Sequence, residues 1–325
     1  MTALYVTSLA EGVGKTTICA GLAKHLLSSG KKVGFFKPII AEESEGSDSD
    51  ALFMKQILSL DEPVDSLCPI ISGQDNVANK IRKAYDRVSP GKDVVIVEGV
   101  CQRSIVEALD ARTIIVEDYS KESKAKLGND YQDLGEYLLG VVLNKVPPSW
   151  IKSLPSELSS QFSEAGVNIL GVFPEDRVLF TLSVSELAEH LQGEILNCAE
   201  KSGELVENLM LGAMTVDPGP EYFGRKANKA VVVRGERPDM QMAALETSMR
   251  CLILSGNTAP IPAVRYRAED KNVPIIVVKS DTMATVMAIE NALDKARFNQ
   301  EKKLPKLTEI MEQHFDFQAV YRALG

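Results

Sequence analysis

Short runs of β-branched and other apolar residues recur along the first half of the chain, separated by longer stretches with helical spacing. The predicted strands cover residues 4–8, 33–37, 94–98, 113–117, 138–144 and 169–172. Such continuous apolar runs are typical of strands buried on both faces of a parallel sheet. After the first run, Ile18, Leu22 and Leu26 follow helical spacing up to Gly30, which predicts a helix over 16–27. This alternation predicts an α/β fold with a doubly wound parallel sheet.

A second, smaller α/β series follows a mixed segment that extends to about Gly212. Its predicted strands are 230–233, 251–255 and 274–279, and predicted helices over 239–250 and 281–293 follow the first and third strands. Near the end of the chain, Leu307, Ile310 and Met311 have the spacing of one helix face. We therefore expect a nucleotide-binding domain over 1–178, a second α/β domain over 179–297 and a C-terminal helical tail over 298–325.

The composition narrows the classes of partner. The 325 residues include 36 Lys and Arg against 45 Asp and Glu, and the resulting charge of -9 repels nucleic acid and anionic membranes. The apolar runs fall far short of the ~20 residues that a membrane span needs, and the amino terminus lacks the basic start of a signal peptide. The five cysteines form no C-x-x-C pair, and the three histidines lie apart from one another and from the cysteines. We expect reduced cysteines, no zinc site, no membrane or nucleic-acid partner and a cytoplasmic location.

The most specific motif is a glycine-rich loop that ends in Lys-Thr-Thr, between the first predicted strand and helix. It departs from the strict P-loop pattern at Leu9, where glycine is usual. Backbone N–H groups of such a loop cradle phosphate oxygens, Lys15 adds a positive charge, and the Thr16 hydroxyl can complete a Mg²⁺ shell. We therefore predict ATP and Mg²⁺ as ligands. The predicted nucleotide contacts from this segment are Glu11, Gly12, Val13, Gly14, Lys15, Thr16 and Thr17.

Acidic residues at other strand ends are the candidates to help Thr16 hold the metal. Glu98 closes an apolar strand and precedes Gly99, so its carboxylate is expected at the edge of the sheet where ligands gather. The alternative is an ordinary solvent-exposed glutamate. Asp50 is a weaker candidate, as is Asp48, because their acidic run is equally typical of a solvated loop. The predicted metal ligands are Thr16, Glu98 and Asp50.

Two other strand ends carry residues suited to a nucleotide site. Lys37 is held extended by Pro38, so its ammonium can neutralise a γ-phosphate or a substrate carboxylate, or simply lie at the surface. Asn144 has an amide that can read the edge of an adenine ring in both the donor and the acceptor sense. Lys15 and Lys37 are the predicted catalytic residues, and Asn144 is a predicted nucleotide contact.

The second domain also brings polar residues to its strand ends. A helix amino terminus beside Arg237, with Gly235 allowing close backbone approach, is a favourable position for an anion. The same segment is equally explained as a helix start with Pro238 in its first turn and Asp239 near the dipole, without any ligand. The candidate ligand residues are Gly235, Arg237, Asn257, Asp281 and Thr282.

These motifs together resemble a known two-domain arrangement. The first domain is similar to the dethiobiotin synthetase-like P-loop fold at the start of long bacterial phosphate acetyltransferases, and the second resembles the DRTGG domain that follows it there. The first resemblance rests on Thr7-Ser8, the loop 11–16, Phe36-Lys37-Pro38, Val97-Glu98-Gly99, the segment 142–146 and the segment 171–174. The second rests on Gly212-Ala213-Met214, the segment 235–239, the segment 252–256 and Asp281-Thr282.

The sequence departs from both patterns at informative positions. Residues 100–103 read Val-Cys-Gln-Arg, where dethiobiotin synthetase has a glycine-rich run that contacts its substrate. The Asp-Arg pair that names the DRTGG domain is Glu236-Arg237, and one Gly-Gly is Gly256-Asn257. The first departure argues against biotin synthesis, and the second suggests an altered ligand pocket.

The resemblance implies a nucleotide-responsive regulatory or sensor module with a small anionic effector. A structural interpretation is also open, in which the second domain is a dimerisation platform and the nucleotide only stabilises the protein. We expect a homo-oligomer formed through the second domain. It ends near Leu293, whereas the acetyltransferase module would need about 300 further residues, well beyond one ordinary domain, so no acetyl transfer is expected. The alternative is an ATP-dependent ligase or carboxylase in which Lys37 and the loop 100–103 position a carboxylate or carbamate for attack on the γ-phosphate. A slow ATPase activity is compatible with the regulatory interpretation.

Overall fold

The computed structural model describes residues 2–40, 48–73, 75–119, 132–154, 162, 166–213 and 219–325. The chain forms two compact units, residues 1–176 with 298–325 (unit 1) and residues 177–297 (unit 2). Residues 298–325, predicted as a helical tail, are mainly helical and belong to unit 1. In the described part of the chain, no helix is both long and apolar enough to cross a bilayer.

Unit 1 is built on a six-stranded parallel sheet with the order β2-β5-β1-β6-β7-β8. The strands of unit 1 are β1 (Thr2–Thr7), β2 (Val33–Phe36), β3 (Ile39–Ile40), β4 (Ile70–Ile71), β5 (Val94–Glu98), β6 (Ala111–Asp118), β7 (Leu138–Val146) and β8 (Ile169–Pro174). The short strands β3 and β4 pair separately. Among the described residues before 177, the α-helices are α1 (Lys15–Ser28), α2 (Ser49–Leu58), α3 (Val64–Leu67), α4 (Val77–Val88) and α5 (Arg103–Leu109). The predicted α/β fold with a parallel sheet is confirmed.

The central strands of the sheet determine the edge at which the candidate ligand-binding residues lie. In β1, five of six residues are buried, and the strand pairs in parallel with both β5 and β6. Helix α1 follows β1 and buries Ile18, Leu22 and Leu26 completely or nearly so. It ends at Ser28, and Gly30 then adopts a positive φ of 82°, a conformation that favours glycine. The carboxyl ends of β1, β2, β5 and β7 therefore lie at the same edge of the sheet.

Unit 2 has a five-stranded sheet with the order β10-β15-β14-β13-β12, in which only β10 is antiparallel to its neighbour. The strands are β9 (Leu182–Ser183), β10 (Glu194–Ile195), β11 (Leu205–Val206), β12 (Asn208–Leu211), β13 (Lys229–Arg234), β14 (Cys251–Ser255) and β15 (Ile275–Val277). The helices are α6 (Val184–His190), α7 (Gly219–Gly224), α8 (Pro238–Leu245), α9 (Pro262–Asp270) and α10 (Thr282–Asp294). Apolar clusters cover both faces of this sheet.

Helix α8 is shorter than the sequence pattern predicts. The pattern extends over 239–250, whereas the helix ends at Leu245. The Thr247 hydroxyl donates to the Ala244 carbonyl (2.8 Å), a local bond that competes with continuation of the helix. The segments between β2 and β5 and between β8 and β13 also contain helices and short strands that the periodicity did not predict.

The last two helices complete unit 1. They are α11 (Leu304–His314) and α12 (Phe317–Leu324). The Asp316 N–H donates to the Leu170 carbonyl (2.7 Å), which ties the turn between them to β8. Met311 packs against Gly21 on α1 so closely that any side chain at position 21 would overlap its sulfur. Residues 298–325 are therefore integrated into the packing around α1.

Candidate nucleotide-binding site

The loop between β1 and α1 has the backbone shape that the glycines predict. Gly12 and Gly14 adopt φ values of 70° and 97°, and α1 begins directly afterwards at Lys15. The Lys15 ammonium donates to the Ser8 hydroxyl (2.9 Å), so it bends back over the loop. Glu11 lies exposed on the loop, and Val13 is buried beneath it. The amino terminus of α1 and the Lys15 ammonium therefore both face the space enclosed by the loop, which suits the binding of phosphate oxygens.

Two residues at the end of β7 hold this loop from below. The Asn144 side chain is 7% exposed, and its amide nitrogen donates to the Val13 carbonyl (2.8 Å). The Lys145 ammonium donates to the Gly12 carbonyl (2.8 Å) and to an Asp118 carboxylate oxygen (2.9 Å). These contacts give both residues a positioning role toward the loop, which the sequence did not indicate for Lys145. The contact of Asn144 with adenine stays a prediction.

Thr16 and two of the predicted carboxylates converge from three separate segments. The Thr16 hydroxyl lies 3.2 Å from Asp50 Oδ2 and 3.2 Å from Glu98 Oε1. Asp48 is the N-cap of α2 and accepts from the Ala51 N–H (2.9 Å), so the first turn of α2 brings Asp48 and Asp50 to the site. Thr17 lies half-buried one residue further along α1. The residues predicted as metal ligands are thus adjacent in space.

Lys37 lies among these same carboxylates. Its ammonium is 2.6 Å from Asp50 Oδ2, 3.0 Å from Asp48 Oδ2 and 3.5 Å from Glu98 Oε1. Burial by itself would lower the pKa of Lys37, but the carboxylates of Glu98, Asp50 and Asp48 outweigh it and raise that pKa. Lys37 is therefore a fully charged ammonium.

Glu98 is the most constrained charge of the site. Its side chain is 5% exposed, so the alternative of a solvent-exposed glutamate is wrong. Burial raises the pKa of its carboxyl, and the attraction of Lys37 only partly offsets this effect. Its second oxygen, Oε2, has no hydrogen-bond partner among the described residues. A buried carboxylate with an unused oxygen is suited to accept a further positive ligand.

The residues of this edge fit a Mg²⁺–nucleotide complex in their chemistry. Magnesium binds through hydroxyl and carboxylate oxygens together with phosphates and water, and Thr16, Asp50 and Glu98 supply such oxygens. Within the described ranges, no group of three or more His, Cys, Asp or Glu side chains is positioned to hold a metal ion.

The candidate ligand residues of unit 2 also lie at neighbouring strand ends, where they form hydrogen bonds with other residues of unit 2. Gly235 donates its N–H to the Ser255 carbonyl (2.9 Å), and a Cβ at position 235 would approach the Thr258 carbonyl to 2.7 Å. The Arg237 guanidinium pairs with the Asp239 carboxylate: Nε lies 2.9 Å from Oδ1 and 3.1 Å from Oδ2, and Nη2 donates to Oδ2 at 2.8 Å. This pairing agrees with the alternative in which the helix start needs no ligand.

The remaining candidates of unit 2 support the local backbone. Asp281 caps α10 by accepting from the Ala284 N–H (2.8 Å), and the Thr282 hydroxyl is 2.8 Å from Ser255 Oγ. Asn257 adopts a positive φ of 55°. Gln241 was not predicted from the sequence: it is fully buried, it donates to the carbonyls of 234 and 235, and its Oε1 has no partner among the described residues.

Comparison with known proteins adds the family. A family model described as an AAA domain matches residues 2–181, and one described as a DRTGG domain matches residues 186–292. The phosphate acetyltransferase of Nitrosomonas europaea is 22% identical over 363 residues, which cover 100% of this chain and 52% of that protein. The chain thus spans about half the length of the curated phosphate acetyltransferases it matches.

Two further similarities concern single units. The ATP-dependent dethiobiotin synthetase of Methanocaldococcus jannaschii is 30% identical over 113 residues, covering 30% of this chain and 51% of that protein. The solved CBS and DRTGG domains of the regulatory region of Clostridium perfringens pyrophosphatase align with 38% of this chain and 53% of that chain, at 16% identity and a TM-score of 0.31.

The resemblance inferred from the motifs is confirmed by the family models and by an alignment of the whole chain with about half the length of the phosphate acetyltransferases. The chain belongs to the AAA domain family, and it combines a P-loop nucleotide-binding unit similar to dethiobiotin synthetase with a DRTGG domain.

Proposed function

We propose that the chain is a regulatory module that binds ATP with Mg²⁺ in unit 1 and a small anionic effector in unit 2. The observation that carries the proposal is the position of the Thr16 hydroxyl, in the first turn of the P-loop helix and 3.2 Å from both Asp50 and Glu98. This juxtaposition combines phosphate-binding backbone with oxygen ligands for a metal.

In this proposal, each group of the edge has one task. The loop N–H groups and the Lys15 ammonium hold the phosphates, and Lys15 exchanges its contact with Ser8 for phosphate oxygens. Thr16, Asp50 and Glu98 hold Mg²⁺, which when bound neutralises phosphate charge. Asn144 and Lys145 keep the loop in its binding conformation through the carbonyls of Val13 and Gly12.

The ligase-type alternative requires groups that receive a carboxylate or carbamate beside the γ-phosphate. Arg103, the only cation of the loop 100–103, instead pairs with Glu107 on its own helix at 2.6 Å. Lys37 is already surrounded by carboxylates. Both contacts favour the regulatory interpretation, and we expect these two units by themselves to transfer no acetyl group. Self-association through unit 2 and a cytoplasmic location stay predictions.

Calorimetric titration with Mg-ATP tests the nucleotide site. Lys15→Ala removes charge-assisted hydrogen bonds worth about 1.5–3 kcal/mol each, so we expect at least a tenfold loss of affinity, since ~1.4 kcal/mol is tenfold. Lys24→Ala, on the same helix and away from the loop, is the matched control and should bind as the natural chain does. Equal affinities of the Lys15 variant and the natural chain would overturn the site.

Amide hydrogen exchange tests the regulatory part. If ATP binding in unit 1 and ligand binding in unit 2 are thermodynamically coupled, nucleotide must alter the protection of unit 2 as well. We expect Mg-ATP to change exchange in the segments 234–258 and 280–285, and Lys15→Ala to abolish that change. Protection confined to unit 1, with ATP bound, would rule out the coupling and leave a simple nucleotide-binding unit.

A further inference from the structure

The Lys37 ammonium occupies the middle of the oxygen cluster that the proposed function assigns to a metal. It contacts Asp50, Asp48 and Glu98 at 2.6, 3.0 and 3.5 Å. Two of these carboxylates, Asp50 and Glu98, are also the neighbours of the Thr16 hydroxyl. A divalent ion ligated by these oxygens at about 2.0–2.1 Å would occupy the same space. The ammonium and the metal therefore compete for one position.

The charges of the cluster are not balanced by Lys37 alone. Three carboxylates face one ammonium, and the Lys15 ammonium is directed to Ser8. Glu98 is nine-tenths buried, and its Oε2 has no partner in the described residues. The cluster therefore has an excess of negative charge. Because unpaired buried charge is costly, a divalent cation would stabilise these carboxylates better than one lysine does.

The lysine side chain has the means to leave this position. It extends from the end of β2, and its backbone N–H is held by the Leu67 carbonyl (2.7 Å). The four-carbon stem is flexible, so the ammonium can move while the backbone stays in place. Phosphate oxygens on the adjoining P-loop would offer it an alternative negative partner.

We propose that Lys37 is an internal counter-ion that blocks a divalent-cation site formed by Thr16, Asp50 and Glu98, and that the site opens only when nucleotide phosphates draw the ammonium away. The inference rests on the proposed function for the nucleotide, but the blocked cation site is a property of the nucleotide-free chain. It makes metal and nucleotide binding strongly cooperative. It also keeps free metal from occupying the site when no nucleotide is present.

Direct Mn²⁺ binding without nucleotide tests this inference. Mn²⁺ is the probe because its free form is measured by electron paramagnetic resonance. In the full-length chain, Lys37→Met keeps the apolar stem and removes the charge, so we expect Mn²⁺ to bind at least tenfold more tightly than to the natural chain, with Mg²⁺ competing. Added MnCl₂ should also raise the thermal midpoint of the variant more than that of the natural chain.

The control removes a lysine from a different carboxylate pair of unit 1. Lys92 contacts Glu62 at 3.0 Å, and Lys92→Met should leave Mn²⁺ binding unchanged. Should Lys37→Met fail to fold, Lys37→Gln keeps a hydrogen-bond donor for Asp50 and gives the same expectation. A folded Lys37 variant that binds Mn²⁺ no better than the natural chain would overturn the inference. That result is separate from the Lys15→Ala titration, because no nucleotide is present.

Discussion

In each unit, parallel strands end at one edge of that unit's own sheet, but the charged side chains at the two edges differ in their exposure to solvent. In unit 1, the side chains of Lys37, Asp50 and Glu98 are 16%, 15% and 5% exposed. In unit 2, Arg234 and Glu236 form a pair in which both side chains are about two-thirds exposed or more, at 67% and 71%. Similar charged residues therefore lie mostly buried in one unit and largely in solvent in the other.

The difference comes from the segment that each strand leads into. After β2 in unit 1, the chain returns with α2, whose acidic first turn contacts Lys37 at the end of β2 and Thr16 in the first turn of α1. In unit 2, β13 leads directly into α8 through the residues 235–237. Buried charges are costly unless they are paired, whereas exposed pairs contribute little. Unit 1 thus has more buried carboxylates than ammonium groups at its edge, which suits a cationic ligand, whereas the charged side chains at the edge of unit 2 are exposed to solvent.

The largest expected effect concerns a glycine in each edge. Gly14 and Gly256 have φ values of 97° and 88°, so alanine at either costs roughly 1–2 kcal/mol of backbone strain. At Gly14 an added Cβ would also overlap the buried Asn144 amide, whereas at Gly256 no atom lies within 4 Å among the described residues. We expect Gly14→Ala to lose clearly more stability and to weaken Mg-ATP binding at least tenfold.

Hydrogen exchange measured by mass spectrometry compares the two variants, because it reports each unit separately. Trp150, the one tryptophan of the sequence, lies in unit 1 and gives a second readout of its unfolding in urea. Equal losses for Gly14→Ala and Gly256→Ala would mean that the Asn144 contact does not constrain the loop.

A smaller effect is expected from neutralising one carboxylate in each unit. Glu98→Gln removes a charge that burial disfavours, while Lys37 keeps its nearer partners Asp48 and Asp50. We expect the ligand-free unit 1 to gain roughly 1 kcal/mol, the low end of the cost of an unsatisfied buried group, and the Mg²⁺ dependence of ATP binding to decrease. Asp239→Asn, in the exposed edge, should change neither.

Urea unfolding followed by Trp150 fluorescence measures the Glu98 effect, and titration of ATP with and without Mg²⁺ measures the metal dependence. A loss of stability in Glu98→Gln would show that the carboxylate is needed to hold Lys37. The two edges would then differ only in the burial of their charged side chains, and the edge of unit 1 would have no destabilising excess of carboxylates.

The smallest effect lies at the other end of α1, away from the charged edge. His25 stacks on Phe317 with ring centroids 3.4 Å apart, and its Nε2 is 3.0 Å from the Tyr321 hydroxyl. Burial lowers the pKa of His25, against an opposing effect of Glu312. The unfolded chain therefore takes up the proton more readily, so this contribution to stability is complete above about pH 6.5 and is lost as the pH falls below it.

Unfolding in urea at pH 7.5 and pH 5.5 measures this dependence. We expect the natural chain to lose more stability on acidification than His25→Phe, which keeps the ring contact and cannot be protonated. Identical pH profiles would assign the contact of α12 with α1 to apolar packing alone.

Local order along the chain was enough to predict much of this protein. The glycines, lysine and threonines of the P-loop are contiguous over residues 12–17. Neighbouring residues determine the backbone conformation of such a segment, so the loop and the helix after it were predictable. The strand runs were predictable for the same reason, since burial on both faces imposes an apolar pattern. The family resemblance rests on such local motifs, and the comparisons confirm it.

Only the tertiary structure decided which polar side chains meet. Thr16 and Glu98 are 82 residues apart, and the sequence placed each at a strand or helix end without giving their distance. It predicted Lys37 as a phosphate or carboxylate ligand, whereas the fold surrounds it with three carboxylates. Lys145 acquires its positioning role from the carbonyl of Gly12, 133 residues away, and Gln241 from two carbonyls of the loop that precedes its helix. Periodicity records whether a residue faces the core, but the partner of a buried charge depends on how separate segments pack, which no local pattern contains.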